Sequence, residues 1–299
     1  MTSAPAQTAH QRGVLILLVS TLAWSTAGLF VRAVPLDAFS LLGLRGPAGA
    51  IGLFILILVF GRLTEFSVFV SAPGKAWLYT CVSAAAILFY IPALTLTTIA
   101  HVAIIYATVP FVAAVLGFIV LRERPSASAI FAIFFAVIGV ALMAAGPDKG
   151  SSLLGDLLAV GMTICSAWLM ILGRRPPDVP MLPPAAASTL LAGLIAIPFA
   201  KTLPASPHDI ALTITAGLIA NTLGFGLFVI GSRLIPVVET ALIGALETPL
   251  APLWVWLAFG ETPSPTTILG GALVTLAVLG HLWLSGRGRV ANAMPDKPL

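Results

Sequence analysis

The chain alternates between long apolar runs and short polar breaks that hold most of its charges. The runs lie at about 14–32, 38–60, 76–96, 100–121, 126–145, 153–172, 182–200, 209–231, 237–259 and 264–284. A helix needs about 20 apolar residues to cross hydrocarbon, so the pattern predicts ten transmembrane helices. The stretch 76–121 has no acid or base except His101 and is too long for one crossing; Thr97-Thr98 is the turn that divides it. None of the runs shows the period-two alternation of a membrane barrel, so helices are favoured over strands. Pro180, Pro183, Pro184 and Pro198 crowd the ends of the seventh run. The first run could pass for a signal peptide. It has no clear small-residue cleavage site, and its removal would break the symmetry described next, so it counts as a span.

Two segments repeat. One runs from Pro110 through an apolar stretch to Glu123-Arg124-Pro125-Ser126, and the other from Pro249 to Glu261-Thr262-Pro263-Ser264. A duplicated half in a membrane protein points to a transporter whose site lies where the halves meet. The loop charges orient the chain, because Lys and Arg gather on the cytoplasmic side. With the N-terminus inside, that side holds Arg12, Arg62, Lys75, Arg122, Arg124, Arg174, Arg175, Arg233, Arg287, Arg289 and Lys297. The other side holds Arg32, Lys149 and Lys201. One repeated turn reads Arg122-Glu123-Arg124 and the other Gly260-Glu261-Thr262, as expected for copies on opposite faces. An odd number of spans per half makes the halves antiparallel. The expected fold is an all-α polytopic membrane protein, ten helices in a 5+5 inverted-topology repeat with both termini cytoplasmic. The halves cover 14–145 and 153–284, with tails at 1–12 and 285–299.

Composition agrees with lipid as the solvent. Hydrophobic residues make up 59% of the chain and charged residues 9%, and the mean hydropathy is +1.07. A soluble domain carries about 25% charged residues. The isoelectric point near 9.4 reflects basic residues scattered through short loops, so no nucleic-acid partner is expected. Cys81 and Cys165 both lie in apolar runs, which predicts neither a disulfide nor a metal site. The chain has no His-Glu-x-x-His, no phosphate-binding Gly-Lys-Ser/Thr loop and no convincing nucleophile elbow. It therefore reads as a non-enzyme without cofactor, whose partners are a small-molecule substrate and the bilayer. One chain carries both halves, so a monomer suffices; a dimer is compatible.

Several motifs together resemble the EamA-type members of the drug/metabolite transporter superfamily. They are the paired Pro…Glu-x-Pro-Ser hairpins, Ala23-Trp24-Ser25, Leu44-Arg45 and Leu246-Glu247-Thr248-Pro249. The resemblance covers roughly 14–284. It implies a multi-pass exporter of amino acids or similar metabolites in a bacterial inner membrane, nearest to the aromatic and neutral amino-acid exporters. It also implies that the fifth and tenth spans pack at the edges. The expected activity is secondary transport by alternating access through a midplane cavity. Only Arg45 offers an intramembrane cation, which argues for a neutral or zwitterionic substrate. Export of lipophilic drugs is the alternative. A non-transporting membrane enzyme or assembly factor would need clustered catalytic Asp, His or Ser residues on one face, and none is visible.

Glu247 is the sharpest candidate. An ionised group near mid-bilayer costs about 2.5–3.5 kcal/mol on insertion scales, so such residues are often functional. It is the coupling candidate and a substrate-binding candidate, or else a hydrogen-bonded structural residue. It shares a helical stripe with Thr240, Gly244, Ala251 and Trp254. Pro110 and Pro249 each remove a backbone donor and free the carbonyls of Tyr106 and Ala245, which makes them hinge candidates. Trp24, Ser25, Tyr90, Tyr106, Trp168 and Asn221 are the remaining substrate-binding candidates. Asn221 fits helix packing as well as binding. Arg45 reads as a snorkelling or paired side chain before a carboxylate ligand. Trp77, Tyr79 and Trp283 read as interfacial. His101, His281, Asp156, Glu123 and Glu261 read as hydrogen-bonding groups at span ends.

Overall fold

The computed structural model describes residues 4–60, 63–71, 73–97, 99–144, 152–174, 180–202, 206–260 and 262–293. Arg62, Thr98, Lys149, Arg175, Glu261 and Lys297 lie outside the described residues. Among the described residues every regular element is helical. Eight helices are long and apolar enough to cross a membrane. Of the other two predicted spans, Ala127–Met143 is a shorter apolar helix of 17 residues and Pro73–Leu96 a helix of 24. A short helix, Thr64–Ser71, precedes the third span and was not expected.

Numbered by the ten predicted runs, the first span is Ala4–Ser25 and Ala27–Ala33; the second, Ala38–Val59; the third, Pro73–Leu96. The fourth is broken into Ile99–Tyr106 and Val109–Leu116, and the fifth is Ala127–Met143. The sixth is Leu153–Arg174 and the seventh Leu182–Ala196. The eighth begins at Pro207–Ala216 and ends at Gly226–Gly231, with Gly217–Phe225 between them wound as π-helix. The ninth is Val237–Ala245 and Glu247–Phe259, and the tenth Pro265–Ala293.

The packing partners follow a pattern. The second span packs on the seventh, the third on the sixth and the fifth on the tenth. The first packs on the eighth, which is the third-on-sixth pairing moved five spans along the chain. Glycines bring backbones together in the absence of a hydrophobic drive between helices in lipid. A Cβ at Gly46 would stand 2.9 Å from the Gly193 Cα, and one at Gly139 would stand 2.6 Å from the Gly270 carbonyl oxygen. The outer surface is apolar: Phe131, Phe134, Leu269 and Leu276 on the fifth and tenth spans are all exposed.

The repeated Glu-x-Pro-Ser turns use the same local device. Arg122 and Gly260 end their helices in the left-handed region, at φ 57° and 69°. Ser126 then accepts from the Ala129 N–H at 3.2 Å, and Ser264 from the Thr267 N–H at 3.1 Å. Each serine satisfies an orphan donor at the start of the next helix.

Polar contacts at span ends tie neighbours together. Asp37 caps the second span by accepting from Phe39 N (3.0 Å) and Ser40 N (3.2 Å). Its other oxygen accepts from Thr202 Oγ1 (2.8 Å), Thr202 N (2.9 Å), Lys201 N (3.0 Å) and the Ser40 hydroxyl. Burial alone would raise this carboxyl, but these hydrogen bonds overcome it and hold it well below the ordinary carboxylate range. Asp156 likewise accepts from Thr97 (2.7 Å) and faces His101 at 3.1 Å, joining the sixth span to the third and fourth.

Two outcomes follow. Gly139→Leu wedges the fifth and tenth spans apart and lowers stability by about 1–3 kcal/mol, read as a lower melting temperature in detergent. Asp37 has a depressed folded-state pKa, so its contribution is present above the ordinary carboxylate range and is lost as pH falls through it. Wild-type melting temperature therefore falls below about pH 4, while Asp37→Asn is less stable at neutral pH and falls less on acidification.

Candidate functional site

The site begins where helices break. Pro249 cannot donate to the Ala245 carbonyl, so the ninth span stops at Ala245 and restarts at Glu247. Leu246 N–H turns back to Ile243 O (3.1 Å) across the break. In the fourth span Pro110 has the same effect on Tyr106: the helix breaks at Ala107-Thr108, and the Thr108 hydroxyl donates to Ile105 O at 2.6 Å. The first span breaks at Thr26 without a proline. There Ser25 Oγ donates to Leu22 O (2.8 Å) and Thr26 Oγ1 to Ala23 O (2.7 Å). Such back-bonding competes with the helix ladder. Sequence reasoning missed this break; the adjacent hydroxyls of Ser25 and Thr26 were its signal.

The breaks place Glu247 as the first residue of a helix, inside the bundle. Arg45 from the second span and Tyr90 from the third lie within its electrostatic reach, as does Tyr106 from the fourth. Tyr106 hydrogen-bonds Ser166 of the sixth span. Tyr90 is 38% exposed. Glu247 and Arg45 are half-buried, and a Cβ at Gly244 would meet nothing within 4 Å.

The remaining candidates have structural engagements. Trp24 packs on Phe228 (5.0 Å between centroids) and Phe225 (6.1 Å), seating the first span on the eighth. Ser25 accepts from the Trp254 indole N–H at 2.7 Å, linking the first span to the ninth. Asn221 donates to the Arg45 carbonyl at 3.3 Å, so its amide serves helix packing. Trp168 is half-buried against the main core. Two readings need correction. Arg45 does not snorkel: its Nε is buried inside the bundle. Tyr79 is 1% exposed in the core near Arg233 and is no belt residue, because the third span's start is covered by its neighbours.

The two halves of the ninth span differ sharply. Residues 237–243 are all buried, whereas Glu247–Phe259 has no buried residue. The buried half is held at its start. Glu123 accepts from the Val237 N–H at 3.2 Å, replacing the side-chain cap that Pro236 cannot provide. His10 from the first span meets Glu239 at 2.6 Å. Beside them lies a cavity of ≈ 280 Å³ lined by Glu123, Arg124, Glu239 and His281. His281 in turn bonds Ser128 at 3.0 Å.

Eight apolar helices of membrane-crossing length among the described residues define a multi-pass membrane protein. The EamA-like transporter family matches the chain twice, over residues 11–145 and 153–283, and the chain belongs to that family, whose members are transporters and not enzymes. A solved crystal structure of a protein aligns with a TM-score of 0.77 at 20% identity. The alignment covers 92% of this chain and 97% of that one. At this identity the likeness shows the fold alone. No curated protein matches the chain.

The Trp254–Ser25 bond predicts an asymmetry. Ser25→Ala strands the half-buried Trp254 indole N–H and costs about 1 kcal/mol, while adding Trp254→Phe restores most of it. Melting temperatures of the two variants check this.

Proposed function

We propose that this protein is a secondary transporter that exports small amino acids or related neutral and zwitterionic metabolites by alternating access. It would sit in a bacterial inner membrane with both termini cytoplasmic, as a 5+5 inverted repeat with halves at 14–145 and 153–284. The pairing of spans that recurs five spans along the chain supports that architecture. The observation that carries the transport reading is the divided ninth span. A proline break at mid-span puts Glu247 at the start of a half-helix with no buried residue, beyond a half in which residues 237–243 are all buried. Discontinuous helices meeting at the midplane are how many transporters build a site.

In this reading the sealed half is the cytoplasmic gate. The His10–Glu239 contact and the Glu123 cap hold it shut, so opening to the cytoplasm requires both to separate. The breaks at Leu246 and Thr108 let each half-helix move without dragging the other, with Pro110 and Pro249 as hinges. Trp24, Ser25, Tyr90, Tyr106, Trp168, Asn221 and Glu247 would surround the substrate's path, and Glu247 would couple transport to protons.

Purified protein in liposomes is expected to move labelled threonine, methionine or an aromatic amino acid and not cationic dyes; dye transport alone would favour the drug-exporter alternative. Glu247→Gln is expected to abolish the response to a pH gradient. Export and pH response unchanged in that variant would exclude Glu247 as the coupling residue.

A further inference from the structure

The buried half of the ninth span starts on two contacts of different chemistry. Glu123 accepts from the Val237 N–H at 3.2 Å, and His10 of the first span meets Glu239 at 2.6 Å. Carboxylates ordinarily titrate well below neutral pH and a backbone N–H does not titrate, whereas an imidazole ordinarily titrates near neutrality. Of the two contacts, only the second changes charge in the physiological range. The His10 and Glu239 side chains are 16% and 7% exposed, so little water is at hand to replace either partner. An imidazolium donating to a carboxylate makes a bond about twice as strong as a neutral donor does.

The other half of the chain holds a counterpart. Glu239 stands as far beyond His101 in sequence as Ser264 stands beyond Ser126, and each is the third residue of its helix. His101 faces Asp156, near the start of the sixth span, at 3.1 Å, so acid and base are exchanged between the halves. That pair is 38% and 28% exposed, and water screens it. Of the two pairs, the one at the first span is the better shielded and holds its helices more firmly.

The charged and titratable groups around His10 come from every neighbouring element. The eighth-to-ninth connection, which lies against Gly13 through Leu234 and Ile235, carries Arg233. Glu123 and Arg124 of the fourth-to-fifth turn and His281 of the tenth span share a cavity with Glu239. His281 is engaged with Ser128 at 3.0 Å and Ser285 at 3.4 Å. Arg12, in the same helix as His10, is exposed.

We propose that the His10–Glu239 pair is a proton-operated latch. Protonated His10 ties the buried half of the ninth span to the first span, and loss of that proton releases it. This rests on the reading of that half as the cytoplasmic gate. The latch holds at acid pH and weakens as pH rises through neutrality, so an acidified cytoplasm keeps the gate shut.

The test reads opening directly. Val237, 1% exposed at the start of the buried half, is changed to cysteine in a chain carrying Cys81→Ser and Cys165→Ser, and labelling of purified protein by a maleimide is timed. Each protein is compared with its His10→Gln variant at the same pH, so the thiol's own titration cancels. At about pH 6 the parent is expected to label about 10-fold more slowly than His10→Gln, and at about pH 8 at nearly the same rate. His10→Lys keeps a cation on Glu239 throughout and should label slowly at both, whereas a packing role alone would make Lys and Gln alike. Glu239→Gln should behave as His10→Gln does, and His281→Gln should keep the parent's pH response. Melting temperatures show that each variant is folded. Equal rates for parent and His10→Gln at the acid pH, fast labelling of His10→Lys, or a response that follows His281 in place of His10 would overturn the latch. No labelling in any variant, with the thiol reactive after denaturation, would overturn the gate reading as well. Failure to move any amino acid would sink the export reading and leave the latch standing.

Discussion

A backbone carbonyl or N–H in hydrocarbon has no water to turn to, and everything in this protein follows from that constraint. It forces the chain into helices that close their own hydrogen bonds. It also dictates where the helices can be interrupted: facing protein, beside other polar groups, never toward lipid. The three breaks at Thr26, Thr108 and Leu246 obey this rule. Hydroxyls of Ser25, Thr26 and Thr108 take up carbonyls near two of them. The third break is where Glu247 enters the bundle.

The same constraint sorts the charges. Those at span ends are used up in structure: Asp37 gathers hydrogen bonds from two connections, Asp156 binds Thr97 and His101, and Glu123 caps the ninth span. The charged groups of Arg45 and Glu247 remain without protein hydrogen bonds among the described residues. A structural charge at that depth would be paired, because an unpaired one is costly. The buried half of the ninth span is part of the core, and the half beyond Leu246 is not.

Eight of the ten expected spans were legible, because a 20-residue apolar run has few alternatives in lipid. The ninth run was expected at 237–259, and its two helices together fill those limits. The repeated turns were legible as capping sites because Glu-x-Pro-Ser carries its own local chemistry. Both serines do cap, although Glu261 lies outside the described residues. Pro110 and Pro249 marked breaks for an equally local reason. Other features were not legible. The break at Thr26 depends on side-chain back-bonding that weak helix formers only sometimes adopt. The π-helical centre of the eighth span lies against the second span at Gly49, a contact between segments far apart in the chain. Arg45 read as a snorkelling side chain because seven residues of span separate it from the nearest end; its neighbours, not its depth, turn it inward.

The sequence by itself determined the membrane as solvent, the run of helices, the duplication and the places where prolines interrupt. Each depends on composition or on contacts within a few residues. Only the tertiary structure decided that Trp24 and Asn221 are engaged in packing and that one half of the ninth span is buried while the other is not. Those facts depend on helix rotation and on glycine-to-glycine approach between segments far apart in the chain. No local pattern encodes which face of a uniformly apolar helix turns inward.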